Sequence, residues 1–160
     1  MPYANVNSKT LFFTLSASQS PRASPLTLLF IHGLGSSSSF FQPLVPSLTC
    51  QGYQCLTFDT YGSGLSPYTG HGNSTASIAA DVLALLDSQG ITENVVVVGH
   101  SMGGIVASIL AAEDSMSKQQ RFNAVVLIGP VNPSPGAAEV FRKRVSIVEK
   151  GKINTPTNPA

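Results

Sequence analysis

The chain has no tryptophan, two cysteines and three histidines in 160 residues, and only 11% of its residues are charged. Cys50 and Cys55 have no further cysteine or clustered histidine beside them, which argues against a metal site and predicts free core thiols. A charged fraction of 11% is less than half of the roughly 25% of an average soluble domain. Such a surface is expected to be covered by something or to be poorly soluble. The formal net charge is +1, and the one basic cluster, Arg142-Lys143-Arg144, reads as the wet face of a helix. Nothing there points to nucleic acid. No apolar run approaches membrane length, and the start MPYANVNSKT lacks a charged-then-apolar leader, so an intracellular, cytoplasmic location is the default expectation. Asn73-Ser74-Thr75 fits a glycosylation sequon, which without secretion marks only a polar loop.

What is present is apolar and ordered by period. Hydrophobic residues make up 42% of the chain, enough for a real core in one domain and too short a chain for two. Leu11–Leu15 reads as a strand, followed by a Ser- and Pro-rich loop over 16–25. Leu26–Ile31 and Gln54–Phe58 read as further strands, separated by an apolar stretch from Phe40 to Leu48. Pro43 and Pro46 keep any helix in that stretch short or kinked. Thr60–Ser74 is a long glycine-rich loop. Ile78, Val82, Leu85, Leu86 and Gln89 recur at helical spacing, which predicts a helix over Thr75–Gln89 ended by Gly90. A valine strand from Val95, a helix from Met102, a strand over Ala124–Ile128 and an amphipathic helix over Ala137–Lys150 complete the series. Near-continuous apolar strands alternating with helices predict an α/β fold, a mostly parallel sheet with helices on both faces.

The stretch VVVVGHSMGG matches G-x-S-x-G between a strand and a helix. A serine there sits on a sharp turn with its hydroxyl above the sheet, and small neighbours let the two backbones cross closely. HGLG after Ile31 and DTYGSGLS after Phe58 end two more strands. In a doubly wound sheet all three would converge on the rim at the strands' carboxyl ends.

These three motifs resemble those of the α/β-hydrolases. The likeness extends in particular to small intracellular members such as 3-oxoadipate enol-lactonases, and to fungal hydrolases of secondary-metabolite pathways. It covers roughly residues 26–150. It implies that Ser101 is a nucleophile, that the backbone N–H groups of Met102 and Leu34 form an oxyanion hole, and that His32, Gly33 and His100 line the site. No cofactor and no metal are implied, and the partner is a small-molecule acyl substrate. His32 and His100 are expected to brace loops by hydrogen bonds rather than act as bases. Asp59 is expected to pin its glycine-rich loop, and His71 to be a loop residue without a role.

The family's chain order is Ser, then Asp or Glu, then His. After Ser101 the sequence offers Glu113, Asp114, Glu139 and Glu149 but no histidine, so no triad acid or base is found. By the resemblance, residues 1–131 are the N-terminal part of the hydrolase core and 132–160 the start of a cap helix with a polar tail. The last two strands are missing. Ala124–Ile128 would then be an apolar edge strand prone to self-association. No peroxisomal tripeptide ends this chain, and only a longer form would carry one. Two other readings compete: a non-catalytic, truncated hydrolase-like module, and a dinucleotide-binding domain built on Gly33-Leu34-Gly35 with Asp59 as ribose ligand. Against the latter, Ser38 stands where a third glycine belongs, and the prolines spoil the helix that should receive the pyrophosphate.

Overall fold

A computed structural model describes residues 2–70, 72–117, 120–131 and 134–150. Six strands form one sheet: β1 (Tyr3–Val6), β2 (Lys9–Ser16), β3 (Thr27–Ile31), β4 (Gln54–Phe58), β5 (Val95–His100) and β6 (Phe122–Ile128). Their spatial order is β1-β2-β4-β3-β5-β6. β1 and β2 run antiparallel to their neighbours, and β4, β3, β5 and β6 are mutually parallel. The helices are α1 (Val45–Cys50), α2 (Thr75–Ser88), α3 (Met102–Ser115) and α4 (Pro135–Glu149), with a short 3₁₀ turn at Ser38–Phe41.

Each element follows from its residues. Pro46 lies in the first turn of α1, where its missing N–H costs nothing, and the helix ends after six residues. Ser74 caps α2 by accepting from the Ser77 N–H while the Ser77 hydroxyl accepts from the Ser74 N–H, a reciprocal capping box. Gly90, at φ 68°, follows its end.

The sheet is covered on both faces, unequally. Leu29, Ile31, Leu56, Phe58, Val95 and Val97 pack under α2 and α3 together with Val82, Leu86, Val106 and Leu110. On the other face Phe30, Cys55 and Val98 meet Phe41, Val45 and Leu48 around α1. Asp81 of α2 fastens the N-terminal hairpin: it accepts from Lys9 Nζ at 2.7 Å and from Asn7 Nδ2 at 3.0 Å. β6 pairs with β5 on one side and is the last strand of the described sheet on the other. Val126, Leu127 and Ile128 on β6 are exposed, as are Val140, Phe141 and Val145 on α4.

Two expectations need correction. The chain begins with a hairpin rather than a single strand at Leu11, because Asn7 and Ser8 both take positive φ (47° and 63°) and turn β1 back onto β2. Cys55 is a buried free thiol as expected, but Cys50 is exposed at the end of α1. The short helix carries it outward, where its thiol donates to Gln19 Oε1 at 3.4 Å. The expected boundary after residue 131 falls against residues 132 and 133, which lie outside the described residues, as does the tail from 151. Among the described residues no helix is long and apolar enough to cross a membrane, and no cluster could hold a metal ion.

Candidate active site

Ser101 stands between β5 and α3, at φ 52° and ψ −115°, a region that L-residues rarely adopt. Two hydrogen bonds hold it there: its N–H donates to the Ile128 carbonyl at 3.0 Å, and its own carbonyl accepts from the Gly104 N–H at 2.9 Å. The glycines around it are required by contact. A β-carbon on Gly99 would run into the Gly103 carbonyl, and one on Gly103 would run into the Ile31 carbonyl. Strand and helix therefore cross backbone to backbone, and the serine is lifted to the rim. Its half-buried side chain makes no hydrogen bond among the described residues. The N-terminus of α3 adds a partial positive charge beside it.

HGLG follows β3 against this elbow. A β-carbon on Gly33 would come within 3.1 Å of Ser101 Cβ and 3.0 Å of His100 Nδ1, so the turn lies tight against the elbow and a larger residue would have to push these side chains aside. Leu34 projects from that turn into solvent. No hydrogen bond among the described residues takes the N–H of Leu34 or of Met102.

Buried His32 braces the site as expected. Its Nε2 accepts from the Thr60 N–H at 3.0 Å, which leaves the ring proton on Nδ1, donated to the Gly33 carbonyl at 2.8 Å. Burial pushes its pKa below the ordinary value of 6.5, outweighing the Gly33 hydrogen bond and the Asp59 charge that pull it up. A neutral ring with both nitrogens engaged is a strut, not a free base. Asp59 also acts as expected. Its Oδ1 accepts from the Ser38 N–H at 2.6 Å and its Oδ2 from the Leu65 N–H at 2.7 Å, tying the loop after β3 to the loop after β4.

His100 departs from expectation. It braces nothing through Nδ1, a buried atom with no hydrogen-bond partner, and its ring instead stacks on Phe40 at 4.3 Å and 18°. His71 lies outside the described residues. Of the acids after Ser101, Asp114 accepts from the Arg121 and Phe122 N–H groups at the start of β6, the far end of the sheet. Glu113 is beside it on α3, Glu139 pairs with Lys143, and the Glu149 side chain lies outside the described residues. None orients a histidine toward Ser101. The dinucleotide reading loses its ribose ligand, because both Asp59 oxygens are spent on the loops.

Strand order, elbow and glycine-rich turns recur in known proteins. A family model described as the alpha/beta hydrolase fold matches residues 27–151. The chain belongs to that family. A Stutzerimonas stutzeri protein provisionally named carbamate hydrolase RutD is 33% identical over 127 residues, 76% of this chain and 44% of its own length. A like-named Escherichia coli protein is 37% identical over 100 residues, 62% of this chain and 37% of its own. The enol-lactonase of Burkholderia xenovorans superposes with a TM-score of 0.80 at 27% identity, covering 94% of this chain and 55% of that one. A thermophilic esterase of Thermogutta terrifontis, at 22% identity and TM-score 0.76, shares the fold. The chain thus spans less than half the length of these curated relatives.

Proposed function

We propose that Ser101 is the nucleophile of a serine hydrolase acting on an ester, thioester or lactone of a small organic acid. The carrying observation is the strained seat of Ser101 beside two unclaimed backbone donors, the N–H groups of Leu34 and Met102. Ser101 Oγ bonds to the carbonyl carbon, and the carbonyl oxygen takes up negative charge between those two donors. The alkoxide or thiolate then leaves with the serine's proton. Water adds to the acyl-serine in a second step, releasing the acid and restoring the hydroxyl. Both steps need a base, and neither His32 nor His100 is offered for it. The family's chain order puts that histidine beyond the acids that follow Ser101. The similarity to the enol-lactonase of B. xenovorans supports the lactone member of the substrate class. A place in fungal secondary-metabolite or toxin biosynthesis rests on the resemblance alone.

A fluorophosphonate probe tests this on the folded 160-residue chain beside Ser101→Ala. With imidazole added as an external base, labelling that disappears in the variant is the expected result. A folded chain that stays unlabelled would favour the second reading, a non-catalytic hydrolase-like module.

A further inference from the structure

The two proposed oxyanion donors differ in how they are held. The Met102 N–H belongs to the first residue of α3, and its place follows from the helix. The Leu34 N–H belongs to a loop that runs from Gly33 to the 3₁₀ turn at Ser38–Phe41. The Leu34 side chain is exposed, and Gly35, at φ 72°, has nothing within 4 Å of where a β-carbon would stand. Local packing therefore does not fix this stretch. Its start is tied through the Gly33 carbonyl, which accepts from His32 Nδ1 at 2.8 Å and from the Ser36 N–H at 3.2 Å. Its far part is tied where Asp59 accepts from the Ser38 N–H. Both ties lead back to β3 and β4 rather than to β5, the strand that carries Ser101.

His100 supplies the link to β5. It is the last residue of that strand and the neighbour of Ser101 in the chain. One edge of its ring faces the start of the loop, where a β-carbon on Gly33 would stand 3.0 Å from Nδ1 and 3.4 Å from Cε1. Nδ1 is buried without a hydrogen-bond partner, so this edge contributes packing alone. One face of the ring lies on Phe40, near the other end of the loop, with centroids 4.3 Å apart and planes within 18°. Phe40 in turn sets its edge against Phe41, which is fully buried and packs on Phe30 of β3. A single ring thus abuts both ends of the segment that carries the Leu34 N–H.

We infer that His100 is a positioning residue for the proposed acyl transfer: its ring, wedged between Gly33 and Phe40, sets the distance from the Leu34 N–H to Ser101. The inference rests on the reading of Ser101 as nucleophile with Leu34 and Met102 as donors, and it adds a residue that this reading leaves without a role. An oxyanion donor works at about 2.7–3.1 Å from the charged oxygen, so a loop that drifts outward gives up most of its effect. His100 moves no proton in this role. A flat ring is what the position requires, and phenylalanine should serve in its place.

Three variants test this. His100→Leu removes the flat ring, His100→Phe keeps it, and Phe40→Leu removes its partner. Phe40 is 47% exposed, so its variant breaks the stack without opening the core. The first readout needs no chemistry. In the isotope-labelled chain the NMR order parameter of the Leu34 amide is expected to fall from about 0.85 to below about 0.6 in both leucine variants. It should hold in His100→Phe, and the amides of Val97 and Val106 should stay rigid throughout. The second readout is fluorophosphonate labelling with imidazole as external base. Its maximal rate should drop about tenfold or more in the leucine variants and stay within about threefold of native in His100→Phe. The half-saturating probe concentration should change by less than about twofold. The double variant should be no slower than either leucine variant alone, because both remove the same stack.

A Leu34 amide that stays rigid in both leucine variants overturns the inference. So does a His100→Phe chain as slow as His100→Leu, which would make the imidazole nitrogens the groups that matter. Failure of the acyl-transfer reading would show differently: Leu34 would loosen as expected in the leucine variants, while the native chain resisted the fluorophosphonate even with imidazole.

Discussion

The two faces of the sheet are fed by the same strands and end in different states. Under α2 and α3, Leu29, Leu56, Val95 and Val97 are fully buried, sealed by Val82, Leu86, Val106 and Leu110. On the face of α1, Phe30, Cys55 and Val98 are covered, but Val126, which lies beside Val98 by register, and Ile128 are exposed. The difference lies in the cover, because residues on both sides are equally apolar. α1 is six residues long where α2 and α3 are each fourteen. Across β3, β4 and β5 stability is therefore concentrated on the α2/α3 face, whereas β6 exposes Leu127 on that face as well as Val126 and Ile128 on the other.

The largest expected effect tests the sealed face at its tightest point. Gly103→Ala drives a methyl into the Ile31 carbonyl and should abolish folding, read as loss of the cooperative thermal transition by circular dichroism. Gly104→Ala, one residue on, meets nothing nearer than Leu127 Cδ2 at 3.5 Å and should hold or raise stability, by up to about 1 kcal/mol of helix propensity. Next comes a direct contrast of faces. Leu86→Ala should cost about 2–5 kcal/mol in urea denaturation, whereas Val126→Ala should cost less than about 1 kcal/mol. Similar losses at the two sites would mean that the open face is covered in solution.

A third effect is set by pH. Burial holds the folded pKa of His32 below 6.5, so the unfolded chain binds that proton more readily. The stabilisation is whole above the unfolded pKa and is lost as pH falls from there through the folded value. Urea midpoints should fall from neutral to mildly acidic buffer, and less steeply in His32→Gln. The smallest effect on stability belongs to the open edge. Val126→Lys should change it by no more than about 0.5 kcal/mol, yet it should shift a concentration-dependent oligomer toward monomer in light scattering. That outcome is expected if Ala124–Ile128 pairs with a second copy, and a variant that associates as before would place the contact elsewhere.

The central strands and the elbow were legible because their signals are local. Apolar runs bounded by Gly and Asp mark β3, β4 and β5, and glycines on both sides of Ser101 announce a close crossing. Asp59 was legible as a loop pin from its position at a strand end, although Ser38 as its partner could not be read across 21 residues. The N-terminal hairpin was missed because Asn7-Ser8 makes its turn without glycine, leaving only the short alternation of Tyr3–Val6 as a signal. His100 was misread for a different reason. Its neighbour in space is Phe40, brought there by the 3₁₀ turn, and no local pattern encodes that stacking.

The backbone of Ser101 also bears on how such a chain ages. Holding a β-carbon at φ 52° costs on the order of 1–3 kcal/mol, and glycine would be free of that strain. Some serine and glycine codons differ by a single base. In a lineage with no use for the hydroxyl, mutation would soon reach the relaxed residue, and the gain in stability would help to keep it. If Ser101 is the nucleophile, sister sequences should hold serine at this strained seat, and glycine there would mark where the chemistry was given up.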